Sequence, residues 1–253
     1  MSRSLVIVGS GNSLLGSKLG SFIDSQDAVV RFGGGETCIK DIAKFKKDVG
    51  SKTTHLIQNF NLAALRRFTA RFDKNSKFYY GLESFIYAHA GLPGVLQKVH
   101  LLTNYNKLID AKVPVVIQDI VTYCNLKLAE YSKFLKTPDA SSAVKNIFEF
   151  KPTSGFFALL YFFSQKEFST IYVCGFDALS NRNCVDGNAQ DLTFDHFYGS
   201  TPCELGEAHR PFNEAAVIRI LKSHMPGVKF VYTDPPYPRF GDVHSKSPKI
   251  VSH

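Results

Sequence analysis

Short apolar runs of strand length, separated by stretches of helical spacing, recur along the chain. Leu5 to Val8, Ala28 to Phe32, Thr54 to Gln58, Thr170 to Phe176 and Lys229 to Thr233 read as strands. Between them, Thr37 to Lys47 has the pattern of a charged amphipathic helix. Asn61 to Phe72 reads as a basic helix with Leu62, Leu65 and Phe68 on one face, and Phe156 to Phe163 as a solidly apolar one. The middle is less ordered in pattern. Lys77 to Tyr80, Val99 to Thr103 and Val113 to Ile117 resemble short strands, with helical spacing between them and again from Val121 to Leu135. Aromatic residues crowd this region, among them Phe78, Tyr79, Tyr80, Phe85 and Tyr87. Most are expected in the core, with an aromatic platform for an acceptor sugar as the minority reading. No repeat or low-complexity linker interrupts residues 1–253, so the pattern predicts one α/β domain with a central, mostly parallel sheet flanked by helices.

The first apolar run delivers the backbone into a turn of small residues, Gly9-Ser10-Gly11-Asn12-Ser13, after which the apolar spacing changes from that of a strand to that of a helix. Glycine lets a backbone approach a ligand closely, and the N–H groups at a helix start favour an anion, so the turn is a candidate phosphate site. It lacks the Gly-Lys-Ser/Thr of a Walker loop, and Asn12 and Ser13 break the dinucleotide fingerprint. A second helix start lies at Lys151-Pro152-Thr153-Ser154-Gly155, where proline suits a first turn and Thr153 or Ser154 can cap it. This turn and the first are expected at the same C-terminal edge of the sheet, facing one cleft.

Composition narrows the partners. Thirty Lys and Arg against 22 acidic residues give +8, which favours nucleotide sugars or other anions. The basic residues are dispersed, and nucleic acid is not the expected partner. No apolar run reaches the roughly twenty residues of a membrane span, and no charged-then-apolar leader precedes Leu5. The chain is therefore expected to be soluble. Five cysteines, Cys38, Cys124, Cys174, Cys184 and Cys203, show no CxxC pairing and no metal-ligand spacing, and read as free thiols.

Four stretches together resemble the motifs of the eukaryotic-type sialyltransferase family. The long sialyl motif is matched by residues 5–55, with the small-residue turn, Ile23-Asp24-Ser25, Arg31-Phe32 and the DVGSKTT run from Asp48 to Thr54. The short motif is matched at 151–176, with PTSG followed by IYVCGF. His196-Phe197-Tyr198 is similar to the third motif, and His209 with Glu214 to the very short His-x4-Glu motif opening a helix through Leu221. About a hundred middle residues stay unassigned, in a region that varies with the acceptor in this family.

The resemblance implies a Rossmann-like, GT-A-like variant fold and an inverting, metal-independent transfer of N-acetylneuraminate from CMP-sialic acid to a glycan hydroxyl. The same chemistry with another CMP-linked keto-sugar such as Kdo is the alternative, and a weak CMP-binding module is the alternative of a different class. By this resemblance His209 is the general base, His196 donates to the departing phosphate, and Glu214 orients the base or the helix start. The donor would be held by Ser10, Gly11, Asn12 and Ser13 from the first turn, by Arg31 and Gly33, and by Lys151, Thr153, Ser154 and Gly155 from the second. CMP is already a good leaving group, so protein donors can replace a metal, and no cofactor is expected.

Three departures stand out. Arg31-Phe32-Gly33 ends in glycine where the family has an asparagine that contacts the nucleotide. Lys151 precedes the proline where relatives have Tyr or Pro. The family's cysteine pair is missing, with Leu5 at the first position and no Cys between Phe156 and Ile171. The absent pair and anchor favour a cytoplasmic, prokaryotic or viral setting over an oxidising lumen. Melting temperature and activity are therefore expected to be unchanged by dithiothreitol. A large fall in melting temperature would reveal a disulfide among Cys38, Cys124, Cys184 and Cys203.

Overall fold

The computed structural model describes residues 3–32, 44–59, 82–89, 112–176, 211–232 and 249–251. Its centre is β1 (Arg3–Val8), a strand so apolar that Leu5, Val6 and Ile7 are fully buried. To one side lie β2 (Ala28–Phe32), β3 (His55–Asn59), β4 (Ser84–His89) and β5 (Val115–Asp119). To the other lie β6 (Phe168–Cys174), β7 (Val228–Tyr232) and β8 (Lys249–Val251), giving the order β5-β4-β3-β2-β1-β6-β7-β8. All neighbours pair in parallel except β8, which runs antiparallel on β7. The chain thus moves outward from β1 to β5 and then returns to the other side of β1. The gap between β1 and β6 is the topological switch point of an open, Rossmann-like α/β sheet.

Among the described residues six α-helices accompany the strands: α1 (Gly20–Asp24), α2 (Lys46–Val49), α3 (Ile120–Glu130), α4 (Pro138–Phe150), α5 (Ser154–Ser164) and α6 (Pro211–Leu221). Alternation along β1 sorts them into two layers. Leu5 and Ile7 face the larger core, made with Ile120, Cys124, Ala140, Ile147, Phe157, Leu160 and Ile218 of α3 to α6. Val6 and Val8 face the smaller one, with Leu14, Ile23 and Val49 on the side of α1 and α2. Helix α5 is apolar almost all round because it lies in the middle of its layer, where even Phe156, Phe157 and Leu160 are at most 1% exposed.

Three expectations change on contact with the fold. The stretch Ser84–His89, within a region of helical spacing, is the buried strand β4. A parallel strand covered on both faces carries a continuous apolar run, which has no period of its own. The helix expected directly after the first turn is replaced by one 3₁₀ turn, Asn12–Leu14, and α1 begins only at Gly20. Gly16 (φ 74°) and Lys18 (φ 57°) take left-handed conformations that end the helical path. Helix α4, capped by Thr137 and started by Pro138, was unassigned in the sequence. The expected strands at Lys77 to Tyr80 and Val99 to Thr103, the helix at Asn61 to Phe72 and most of Thr37 to Lys47 lie outside the described residues.

The strand pair at the switch point is closed without sulfur. Leu5 is buried opposite Ile171, and the β1–β6 register runs from Arg3 to Val8 with one shift between Arg3 and Ser4. Of the five cysteines, the described Cys124 and Cys174 are free and buried, their thiols pushed up by burial, Cys174 to about 12. Beyond β1 the contact becomes tighter: Gly9 N–H donates to the Cys174 carbonyl at 2.8 Å, and a Cβ on Gly9 would lie 2.2 Å from the Gly175 carbonyl oxygen. Gly9→Ala is accordingly expected to cost at least about 2 kcal/mol of stability, read from the urea midpoint at constant m-value. A variant as stable as the parent would mean that the two strand ends can part at no cost.

Candidate active site

At the C-terminal edge of the sheet the two turns converge. Gly11 N–H donates to the Gly175 carbonyl at 2.8 Å, which lays the Gly9 to Ser13 turn across the end of β6. Helix α5 runs back over the sheet before β6, so its N-terminus returns to the same edge. There a Cβ on Gly155 would meet the Phe176 ring at 2.2 Å. The Phe176 ring also packs edge-on against Phe32, at the end of β2, with centroids 5.7 Å apart. Ser10, Gly11, Asn12 and Ser13 on one side and Thr153, Ser154 and Gly155 on the other are thus gathered around Gly175 and Phe176. Gly175 and Phe176, which the sequence pattern places at the end of a strand, follow β6 and are the residues on which both turns rest.

Two of the first turn's amide donors, those of Gly9 and Gly11, are committed to β6 rather than to a ligand. Only a 3₁₀ turn, and no long helix, stands directly behind this turn, so the turn has no helix dipole of its own. The dipole belongs to α5, an eleven-residue helix whose N-cap, Thr153, accepts from the Phe156 N–H at 3.1 Å.

That helix start already holds an anion. Glu214 on α6 accepts the Thr153 N–H at 2.6 Å and the Thr153 hydroxyl at 2.7 Å, one on each carboxylate oxygen, and is 2% exposed. Burial pushes its carboxyl up to about 7, while the two bonds from Thr153 pull the other way. Lys151, exposed beside it, closes α4 with φ 70° and ψ 139°, a backbone region that costs a residue other than glycine roughly 1–3 kcal/mol.

Much of the long motif holds itself together. Asp48 accepts the Gly16 and Lys18 N–H groups, each at 3.0 Å, and so shapes the chain after the first turn. Asp24 accepts the Ser51 and Lys52 N–H groups at 2.7 and 2.8 Å. Arg31, placed among the donor-binding residues by resemblance, is 4% exposed and directs its guanidinium into the 49–53 loop. It donates to the Val49 carbonyl at 2.6 Å, the Lys52 carbonyl at 3.0 Å and the Thr53 hydroxyl at 3.1 Å. Thr54 closes the same loop onto Val29. These residues are legible as a motif, but their partners lie 18 to 32 residues away and cannot be named from the sequence.

His196, His209 and Gly33 lie outside the described residues. The sequence reading missed a further pair on this edge. His89 and Asp119 are register partners at the ends of β4 and β5, with His89 Nδ1 3.6 Å from Asp119 Oδ2. His89 follows the run Phe85–Ala88, and Asp119 follows Val115–Ile117 after Gln118, a weak signal that the unassigned middle region concealed. Among the described residues, no group of three His, Cys, Asp or Glu side chains is placed to hold a metal ion. No described helix is long and apolar enough to cross a membrane.

A parallel sheet reversing its strand order at two Gly-rich turns defines the Rossmann-like class of α/β proteins, whose ligands bind at that crevice. The chain belongs to glycosyltransferase family 29 (sialyltransferase), which it matches over residues 2–225. Human beta-galactoside alpha-2,6-sialyltransferase 1 is 41% identical over 76 residues, covering 30% of this chain and 17% of that protein. Its mouse counterpart is 38% identical over 96 residues, covering 36% and 22%. The matched stretch thus spans about a fifth of the length of these relatives. A crystal structure of a mammalian sialyltransferase in complex with Gal-beta-1-3GalNAc-ortho-nitrophenol superposes with a TM-score of 0.47 at 19% identity, covering 90% of this chain and 69% of that one.

The buried Glu214 makes stability depend on pH. Its unfolded carboxyl loses a proton near 4.5 and the folded one near 7, so the stabilising uptake is complete below 4.5 and is lost as pH rises through 7. Buried His55, whose imidazole burial pushes down, acts in the opposite sense, adding stability as pH rises toward 6.5. The difference between the parent and Glu214→Gln isolates the first effect. The parent should lose on the order of 1–3 kcal/mol relative to that variant between pH 5 and 8, measured by urea unfolding at several pH values.

Proposed function

We propose that this chain is an inverting, metal-independent sialyltransferase that moves N-acetylneuraminate from CMP-sialic acid to a glycan hydroxyl. The observation that carries the reading is the convergence of the 9–13 turn and the α5 start on Gly175 and Phe176, at the switch point of a family 29 chain. An open α/β sheet receives nucleotides at that place.

The reaction has two requirements. The acceptor hydroxyl must lose a proton as it attacks, and the CMP phosphate must leave with its charge stabilised. In this reading His209 takes the proton, since an imidazole with an unperturbed pKa of about 6.5 is largely neutral and still basic near pH 7. His209 stands two residues before Pro211 in the sequence, and α6, which begins there, is held at the α5 N-terminus by Glu214.

His196 donates to the leaving phosphate, and attack opposite CMP inverts the anomeric centre. The side chains of Ser10 and Asn12, the first-turn amides of α5 at Ser154 and Gly155, and the exposed Lys151 ammonium complete the donor contacts. Donors fixed before the reaction need no reorganisation as charge develops, which is why a metal is dispensable here. Arg31, in the same donor-binding set, also braces the 49–53 loop beside this site.

The two histidines should fail differently. His209→Ala should lower transfer by on the order of 10²- to 10⁴-fold while CMP binds nearly normally; His196→Ala should weaken both CMP affinity and turnover. CMP titrations beside initial transfer rates from CMP-N-acetylneuraminate test both, and near-parental transfer by His209→Ala would remove the base from the mechanism. Excess EDTA should leave the parent's turnover intact; loss restored by magnesium or manganese would contradict the metal-independent step.

A further inference from the structure

The N-terminal edge of the sheet, opposite the converging turns, carries a buried histidine beside an exposed ion-pair strap. His55 opens β3 and is 7% exposed, with its ring edge-on to Phe162 of α5 and Phe168 of β6 at centroid distances of 5.3 and 6.2 Å. Arg3, at the start of β1, holds its guanidinium 5.3 Å from the centre of the same Phe168 ring and pairs with two carboxylates, Glu83 at 2.7 Å and Glu167. Those glutamates immediately precede β4 and β6, so one side chain straps the entries of three strands. We propose that His55 is an acid-sensitive latch: neutral, it packs beside the strap, and on taking up a proton it draws Glu83 or Glu167 away from Arg3, so that the entry into β4 loosens while the C-terminal edge stays closed. This is independent of the reaction assigned to that other edge.

Hydrogen-bond accounting shows where the strain would fall. His55 Nδ1 lies 2.8 Å from the Thr54 hydroxyl oxygen, which also accepts the Val29 N–H at 2.8 Å and donates to the Val29 carbonyl at 3.2 Å. A hydroxyl with one proton and two lone pairs can therefore accept an Nδ1 proton whether the ring is neutral or charged. The second N–H of an imidazolium needs a further acceptor. Burial pushes the ring's pKa down, the carboxylates of Glu83 and Glu167 pull it up, and Arg3 pushes it down again, while α5 and β6 present the rings of Phe162 and Phe168. Two cations then contest two carboxylates. The side chains of the Arg3 pairs are 36–48% exposed, and ion pairs in water are weak enough to exchange.

Thr54 carries the exchange into the sheet. Its carbonyl accepts the N–H groups of Glu83 and Ser84 at 2.7 and 3.2 Å, so a displaced Glu83 disturbs the bonds that start β4. Gly9 and Gly11, at the other end of the sheet, bond the end of β6 instead. Because burial holds the folded imidazole below its ordinary 6.5, the latch is intact above that pH and is lost as pH falls below it.

Amide hydrogen exchange, read as protection factors at about pH 7 and about pH 5.5, tests the latch. In the parent the Glu83 and Ser84 amides should lose about 3- to 10-fold in protection on acidification, and those of Gly9 and Gly11 less than about twofold. His55→Phe keeps a ring against Phe162 and Phe168 and leaves the Thr54 hydroxyl on Val29, so it should hold its Glu83 and Ser84 protection at both pH values. Arg3→Gln removes the strap and should show the lower protection already at pH 7. If His55→Phe no longer melts cooperatively, His55→Asn, whose side-chain amide stands near the Nδ1 position, takes its place with the same expectation.

Four results would overturn the proposal. Unchanged protection in the parent would mean that nothing opens. An equal acid loss in the parent and the His55 variant would assign the response to the carboxylates alone. A loss as large at Gly9 and Gly11 would make His55 a determinant of global stability instead of one edge. Parental protection in Arg3→Gln at pH 7 would show that the ion pairs strap nothing.

Discussion

The closeness of two strand ends governs everything built on this sheet. Past Val8 and Cys174 the backbones of β1 and β6 approach until Gly9 and Gly11 donate directly to the carbonyls of Cys174 and Gly175. No side chain fits between them at Gly9, so the turn that follows β1 lies flat across the end of β6 instead of standing away from it. Helix α5 then finds its place from the other direction, because Gly155 lets the Phe176 ring press against its first turn. A substitution at either glycine would separate the two turns before it touched any ligand. Leu5 and Ile171, in register and buried, hold β1 and β6 together just before this point.

Charged residues near this edge are used twice over, and the division is informative. Asp24, Asp48 and Arg31 carry formal charges, yet each spends it on backbone groups of the same motif. A buried guanidinium on carbonyls and carboxylates on N–H groups satisfy turns that would otherwise strand polar atoms, and such charge-assisted bonds are the stronger kind. Their effect is rigidity: the loops at 16–18 and 49–53 are held against one another under the first turn. The family motif is therefore as much a description of a scaffold as of a binding site.

Glu214 shows the same economy at the other turn. A helix N-terminus attracts an anion, and α5 satisfies that demand from within the chain at Thr153. The burial that raises its carboxyl to about 7 opposes ionisation, so the tie is held by geometry more than by charge. Across the sheet, His89 and Asp119 extend the polar edge to β4 and β5.

The sequence by itself determined the class of fold, the positions of most strands and the two turns. Those features are local: apolar run length, a cluster of small residues, a proline followed by a cap. It also carried the family, because four motifs keep their order and spacing along residues 5–214. Only the tertiary structure decided that Ser84–His89 is a strand, since burial on both faces erases the period by which strands are read. It decided too that Arg31 serves a loop, that Glu214 serves Thr153, and that the first turn has no helix behind it. Each depends on a partner far along the chain: Arg31 is 21 residues from Lys52, and Glu214 is 61 residues from Thr153. A side chain's type limits what it can bond, but which bond it makes is chosen by what folding brings within 3 Å.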